Sequence, residues 1–163
     1  MEFRPFRRKR QLLSEDESQH ILSNASSGVL CLIGDGGYPY GVPMSYVYSN
    51  GKLYFHSAPT GHKIDAVTNN EKASFTVIAK DELHPQEFTT YFRSVIAFGR
   101  TRLIDNNEEK MTAIRELCNR YHSHNEEGFQ KEVEKDFHRM AMIEMTIEHL
   151  TGKEAIELAR ARQ

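Results

Sequence analysis

Asn50-Gly51, set between two apolar runs, is the feature that most restricts what this chain can fold into. A type I′ turn needs positive φ at both central residues, and these two residue types accept it at least cost. The pair therefore predicts a tight hairpin between strands at 40–48 and 53–56. A third apolar run, 29–33, precedes them across Gly34-Asp35-Gly36-Gly37, so residues 28–56 form an antiparallel meander. The glycine-rich stretch is not a phosphate loop. Such a loop opens a helix, whereas this one leads into a strand carrying Pro39 and Pro43.

The remaining elements follow from spacing. Ser14 and Glu17 make a capping box for a helix over 14–24. Ile64 and Val67 share one face of a short helix over 61–69, and strands follow at 73–79 and 91–104, the second bending at Gly99. The segment between those strands is polar and predicts a loop. Met111, Ile114, Leu117 and Tyr121 make 108–121 an amphipathic helix, and 140–147 returns to a strand. Thr151 and Glu154 have the spacing of a second capping box, for a terminal helix over 151–162. Six strands joined mostly by short turns, with helices at the ends and at one crossover, predict a mainly β fold with flanking helices, a six-stranded antiparallel barrel. At 163 residues and 39% hydrophobic content the chain closes one core, so residues 1–163 are one domain.

Charge and composition exclude several classes. A net charge of −2, from 21 basic and 23 acidic side chains, gives no overall pull toward nucleic acid or an anionic membrane. Arg4, Arg7, Arg8, Lys9 and Arg10 cluster in residues 1–12, but the next segment is acidic, so this is a solvated or partner-contacting tail rather than a nucleic-acid site. No apolar stretch reaches the roughly 20 residues of a membrane-spanning helix, and the N-terminus lacks a secretory apolar core, so a cytoplasmic protein is expected. Cys31 and Cys118 are the only cysteines and have no disulfide or zinc spacing.

The segment Phe55-His56-Ser57-Ala58-Pro59-Thr60-Gly61-His62-Lys63 runs off a strand into a helix that begins with two basic residues. A helix N-terminus already carries partial positive charge, so His62 and Lys63 there call for something negative. Asp65 supplies part of it; a phosphate would accept the free N–H groups, the Lys63 ammonium and the hydroxyls of Ser57 and Thr60 together. The alternative is a surface helix whose lysine points to water. In the strand before it, Gly41 lacks a side chain and Pro43 lacks a donor, which leaves room for a flat ring system beside the backbone; an ordinary edge strand carries the same residues.

Three segments, Tyr38-Pro39-Tyr40-Gly41-Val42-Pro43, Leu53-Tyr54-Phe55-His56-Ser57-Ala58 through Lys63, and Tyr91-Phe92-Arg93-Ser94-Val95-Ile96-Ala97-Phe98-Gly99-Arg100, together resemble the FMN-binding split-barrel family related to pyridoxamine-phosphate oxidase. Within it they most resemble the nitroimidazole-resistance branch. The resemblance implies a split barrel that forms a homodimer with FMN at the subunit interface. It places the phosphate near His62 and Lys63, with His56, Ser57 and Thr60 close by, and the ring along Val42, Pro43 and Met44. Arg93 and Ser94 carry over as further flavin or phosphate neighbours. Ser74 departs from the cysteine common in relatives. A C-terminal Trp and Arg motif typical of true pyridoxamine-phosphate oxidases is missing, which counts against pyridoxal phosphate synthesis.

Other chemistry has less support. Cys118 and His122 lie one helical turn apart with His124 beyond, a usable metal spacing with no compelling fourth ligand, so no metal site is assigned. His138 and His149 are isolated. No Ser–His–Asp or Cys–His grouping emerges, which suits a flavin protein, whose cofactor carries the electrons. The expected activity is reduction of a small nitroaromatic or quinone-like acceptor with electrons from a reduced nicotinamide nucleotide, with His56 as the group near the acceptor. The other possibility is a non-catalytic module binding flavin or haem.

Overall fold

The computed structural model describes residues 2–121 and 125–162. In chain order the main elements are α1 (Glu15–Asn24), β1 (Ser27–Ile33), β2 (Pro39–Ser45), β3 (Val47–Ser49), β4 (Lys52–Ser57), α2 (His62–Asn69), β5 (Lys72–His84), β6 (Thr89–Leu103), α3 (Asn107–Tyr121), α4 (Glu126–Asp136), β7 (Ala141–Glu154) and α5 (Ile156–Ala161). All seven strands form one antiparallel sheet in the order β2-β1-β5-β6-β7-β4-β3.

That order forces curvature. The edge strands β2 and β3 are separated in the chain by Tyr46 alone. A flat seven-stranded sheet would hold its edges about 29 Å apart at ~4.8 Å per strand, while one residue spans about 3.6 Å. The sheet therefore curls until its edges meet at Tyr46, leaving a seam between β2 and β3 that no ladder closes. Tyr46 is itself fixed from outside the sheet. The Tyr121 hydroxyl accepts its N–H (3.1 Å) and lies 2.9 Å from its carbonyl oxygen, while the Tyr46 phenol donates to the Leu22 carbonyl (2.6 Å). Burial pushes the Tyr46 phenol pKa up.

The expected mainly β architecture with flanking helices is present, with seven strands instead of six because the run 40–48 divides at Tyr46. The Asn50-Gly51 turn has positive φ at both residues (49° and 77°), and Ser14 and Glu17 form the capping box. Gly99 sits at a register shift in β6, where a Cβ would lie 2.0 Å from the Thr146 carbonyl oxygen, so only glycine permits that approach.

Three expectations need correction. The polar loop between the fourth and fifth expected strands is mostly strand, a long β5–β6 ribbon whose end is braced by His84 stacked on Tyr91 at 3.7 Å. Thr151 and Glu154 do not cap a helix; they pair with Ile96 and Arg93 of β6, and the terminal helix starts only at Ile156. Helix α4 was not anticipated, although Asn125 caps it by accepting the Gly128 N–H.

Leu30, Leu53, Phe55, Phe75, Val95 and Met145 fill the barrel. A second cluster, with Ile114, Phe129, Val133 and Met142, lies between the α3–α4 pair and the outer wall. The basic N-terminal stretch touches the barrel through Phe3, stacked on His149 at 4.4 Å, and through Gln11, which donates to the Glu154 carbonyl. No helix among the described residues is long and apolar enough to cross a membrane.

Candidate functional site

The site is built where β4 runs into α2 beside the free edge of β2. Alternation along β4 sends Leu53 and Phe55 into the barrel and exposes His56, with Ser57 buried at the strand end. Thr60 is exposed in the connection. Gly61 then heads α2 without a side-chain cap, leaving the N–H groups of His62 and Lys63 as orphan donors at the helix start. Ile64, Ala66 and Val67 bury the other side of α2 and fix how that start is presented.

In β2 the buried pattern turns Val42 and Met44 toward the core and Gly41, Pro43 and Ser45 outward. Because β2 is a sheet edge, about half its backbone polar groups lack a ladder partner. Such an edge can accept and donate to the polar rim of a planar ring.

Lys63 is the decisive side chain. Its ammonium donates to the Met44 sulfur at 3.2 Å, a weak acceptor, and among the described residues no carboxylate lies within ion-pair distance. Burial lowers its pKa. A half-buried cation with only a thioether for company is incompletely solvated, and a phosphate would supply the missing charge. The lysine, the two orphan N–H groups and the exposed Thr60 hydroxyl together suit a phosphate monoester.

The neighbouring His62 behaves differently. Its ring stacks on Tyr40 at 4.1 Å, and Nε2 accepts the Asp35 N–H at 3.2 Å. The two basic residues that start α2 thus have separate partners. Arg93 and Ser94 stand on β6, three strands from β2 and two from β4. Arg93 donates to the fully buried Glu154 at 3.0 Å and lines a small cleft against α1 with Asp16 and His20. The structure sets Lys63 against Met44 of β2, with Val42 and Pro43 next to Met44 on that strand and Ser57 and Thr60 in the run from β4 into α2, while Arg93 and Ser94 stand apart on β6.

His56 faces a larger space. A cavity of about 1010 Å³ lies between α3–α4 and the outer wall, with His56 and Ser45 on its rim beside β2. Sequence reasoning missed this cavity because it missed α4; Phe129 and Val133, four apart behind the capping Asn125, carried the signal. Among the described residues no group of His, Cys, Asp and Glu is placed to hold a metal. His122 and His124, weighed with Cys118 above, lie outside the described residues.

A model of the pyridoxamine 5′-phosphate oxidase family matches residues 14–154, from the capping serine of α1 to the last residue of β7. The chain belongs to that family. Solved structures agree in fold. A candidate 5-nitroimidazole antibiotic resistance protein from Bacteroides thetaiotaomicron shares 23% identity at a TM-score of 0.70, over 88% of this chain and 86% of the other. A FAD-binding protein from Mesorhizobium loti shares 26% identity at 0.65, over 89% and 97%. A FAD- and haem-binding protein from Mycobacterium smegmatis shares 18% at 0.76, over 90% and 73%. No curated protein matches the sequence. Membership of the pyridoxamine 5′-phosphate oxidase family covers the whole β2–β4–α2 corner and also β6, so both groups of candidate residues fall inside the matched span.

Proposed function

We propose that the chain is an FMN-binding oxidoreductase that passes electrons from a reduced nicotinamide nucleotide to a small nitroaromatic or quinone-like acceptor. The observation that carries this reading is Lys63, half-buried at a helix start with no anionic partner among the described residues. Bound FMN would supply hydride acceptance and return, chemistry that no side-chain grouping here provides. The chain's own residues bind and orient. Lys63, the N–H groups of His62 and Lys63, and the hydroxyls of Ser57 and Thr60 hold the phosphate; the free edge of Val42, Pro43 and Met44 meets the ring; His56 faces the acceptor.

Arg93 and Ser94 enter the site from a second copy in a homodimer, since on their own chain they belong to a different stretch of the sheet. Large apolar side chains left in solvent on the β5–β6 ribbon, Ile78, Leu83 and Phe88, support such pairing.

Titration of the purified protein with FMN, FAD and haem, followed by visible spectroscopy, tests the cofactor. A flavin spectrum with submicromolar FMN affinity, bleached by NADH or NADPH without oxygen, is the expected result. Likeness to a FAD- and haem-binding protein favours a second reading, a carrier without turnover. A Soret band, or bound flavin that no nicotinamide nucleotide bleaches, would decide for it.

A further inference from the structure

The cavity beneath α3–α4 has properties that set what fits it. Its walls combine Ile114 and Leu117 of α3, Phe129 and Val133 of α4, and Met140 and Met142 of the β7 side. Methionine side chains adapt to flat ligands and favour contact with rings. The charged residues on its border already have partners: Arg115 pairs with Glu126 at 2.8 Å and lies over the Phe129 ring, and Lys131 pairs with Glu127 at 2.7 Å. Nothing in that set invites a charged ligand. Asn119, Tyr121 and Asn125 add polar groups on the helix side, where the Tyr121 hydroxyl is already bonded to Tyr46 and Asn125 caps α4. On the opposite wall the polar groups are His56 and Ser45, which stand on the β2–β4 side, next to the proposed seat of the ring.

Size narrows the choice. A cavity that holds one benzene measures roughly 150 Å³, and drug-sized ligands occupy about 300–1,000 Å³. At about 1010 Å³ this cavity is much larger than a single five-membered ring requires. The geometry points to the cavity as the acceptor site, taking an uncharged aromatic molecule of two or more fused rings, with a carbonyl or nitro oxygen turned toward His56. The inference rests on the flavin reading in taking the ring to lie along β2.

The test measures binding before turnover. 1,4-Naphthoquinone and 2-methyl-5-nitroimidazole are titrated by calorimetry into the protein, both free and saturated with FMN, and FMN affinity is measured separately. Naphthoquinone should bind with FMN present and at least tenfold more tightly than the nitroimidazole. Val133→Phe fills the cavity and Asn119→Trp narrows its exposed rim; each should weaken naphthoquinone at least tenfold and leave FMN affinity within twofold. Asn119→Trp keeps the test valid if the core variant fails to fold. Naphthoquinone affinity unmoved by the folded variants, or tighter binding of the single ring, would overturn the cavity assignment while FMN binding stands. Failure of FMN to bind would instead sink the flavin reading, and the titration of the free protein would still decide whether the cavity takes the quinone.

Discussion

Lys63 and Arg93 are both basic residues in motifs that match the family, yet the structure gives them opposite surroundings. Lys63 sits at the start of α2, its charge partly removed from water and, among the described residues, met only by a sulfur. Arg93 lies in the β6–β7 ladder and is neutralised by Glu154, which Arg162 also contacts. A cation with a buried carboxylate first holds strands together, and meets any ligand across the proposed dimer with its charge already balanced. One without such a partner keeps its binding capacity for a ligand, and its cost in the empty protein becomes affinity when the ligand arrives. Spacing in the sequence does not distinguish the two, because the partner of Arg93 is 61 residues away.

The largest expected effect comes from removing that partner. Glu154 is fully buried, and Glu154→Ala strands Arg93 and Arg162 while opening space among β6, β7 and α5. Breaking a buried pair from one side costs about 3–5 kcal/mol, so urea denaturation should show a loss near the low end of that range, since both arginines are partly exposed. A loss below about 1 kcal/mol would mean that Arg93 is not committed to the ladder, and the contrast with Lys63 would disappear.

Lys63→Ala comes next and acts on a different quantity. It removes a charge-assisted contact from the proposed phosphate, worth about 1.5–3 kcal/mol, so FMN affinity should fall roughly 10- to 150-fold. Folding stability should stay within about 0.5 kcal/mol, because among the described residues the ammonium has no ion pair to lose. Fluorescence titration of FMN checks the first half and denaturation the second. Unchanged FMN affinity would remove Lys63 from the site.

Arg102 and Lys52 sharpen the comparison as further committed cations, both bonded to Glu144 on the wall beneath α3. Burial alone would raise the Glu144 pKa, but hydrogen bonds from Arg102 and Lys52 outweigh it and leave the carboxyl below its ordinary range. A carboxylate lowered on folding contributes stability that is complete above its unfolded value of about 4.3 and is lost as pH falls through the folded one. Glu144→Gln should therefore cost about 2 kcal/mol at pH 7, and the gap to the unaltered protein should close on acidification below about pH 4. A gap independent of pH would show that packing, not the ion pairs, holds this wall.

How much of this was legible in advance depended on whether the cause was local. The Asn50-Gly51 turn, the Ser14 cap and the strand-to-helix run from Phe55 to Lys63 depend on near neighbours, and each appears in the structure as read. The break at Tyr46 depends on a hydroxyl 75 residues away, and the strand character of Thr151–Glu154 depends on pairing with β6, which outweighs the local capping pattern. The same limit applied to the site. A basic pair at a helix start was visible; that Tyr40 and Asp35 engage one member of it was not, because those contacts exist only once β1, β2 and α2 have packed.

His62 supplies the smallest and most discriminating change. Its ring is held between the Tyr40 stack and the Asp35 N–H, so its contribution is to fix the β1–β2 turn against α2. An aromatic pair of this kind is worth about 0.5–1.5 kcal/mol, and His62→Ala should lower stability by about 1 kcal/mol. The backbone N–H of residue 62 survives the substitution, so FMN affinity should change by no more than about threefold, under 1 kcal/mol. Measured beside Lys63→Ala, this separates a phosphate held by the helix start and one ammonium from a phosphate held by two basic side chains. An equal fall in FMN affinity for both variants would mean that the His62 ring leaves Tyr40 when ligand binds, and that the two residues differ less than their contacts in the free protein indicate.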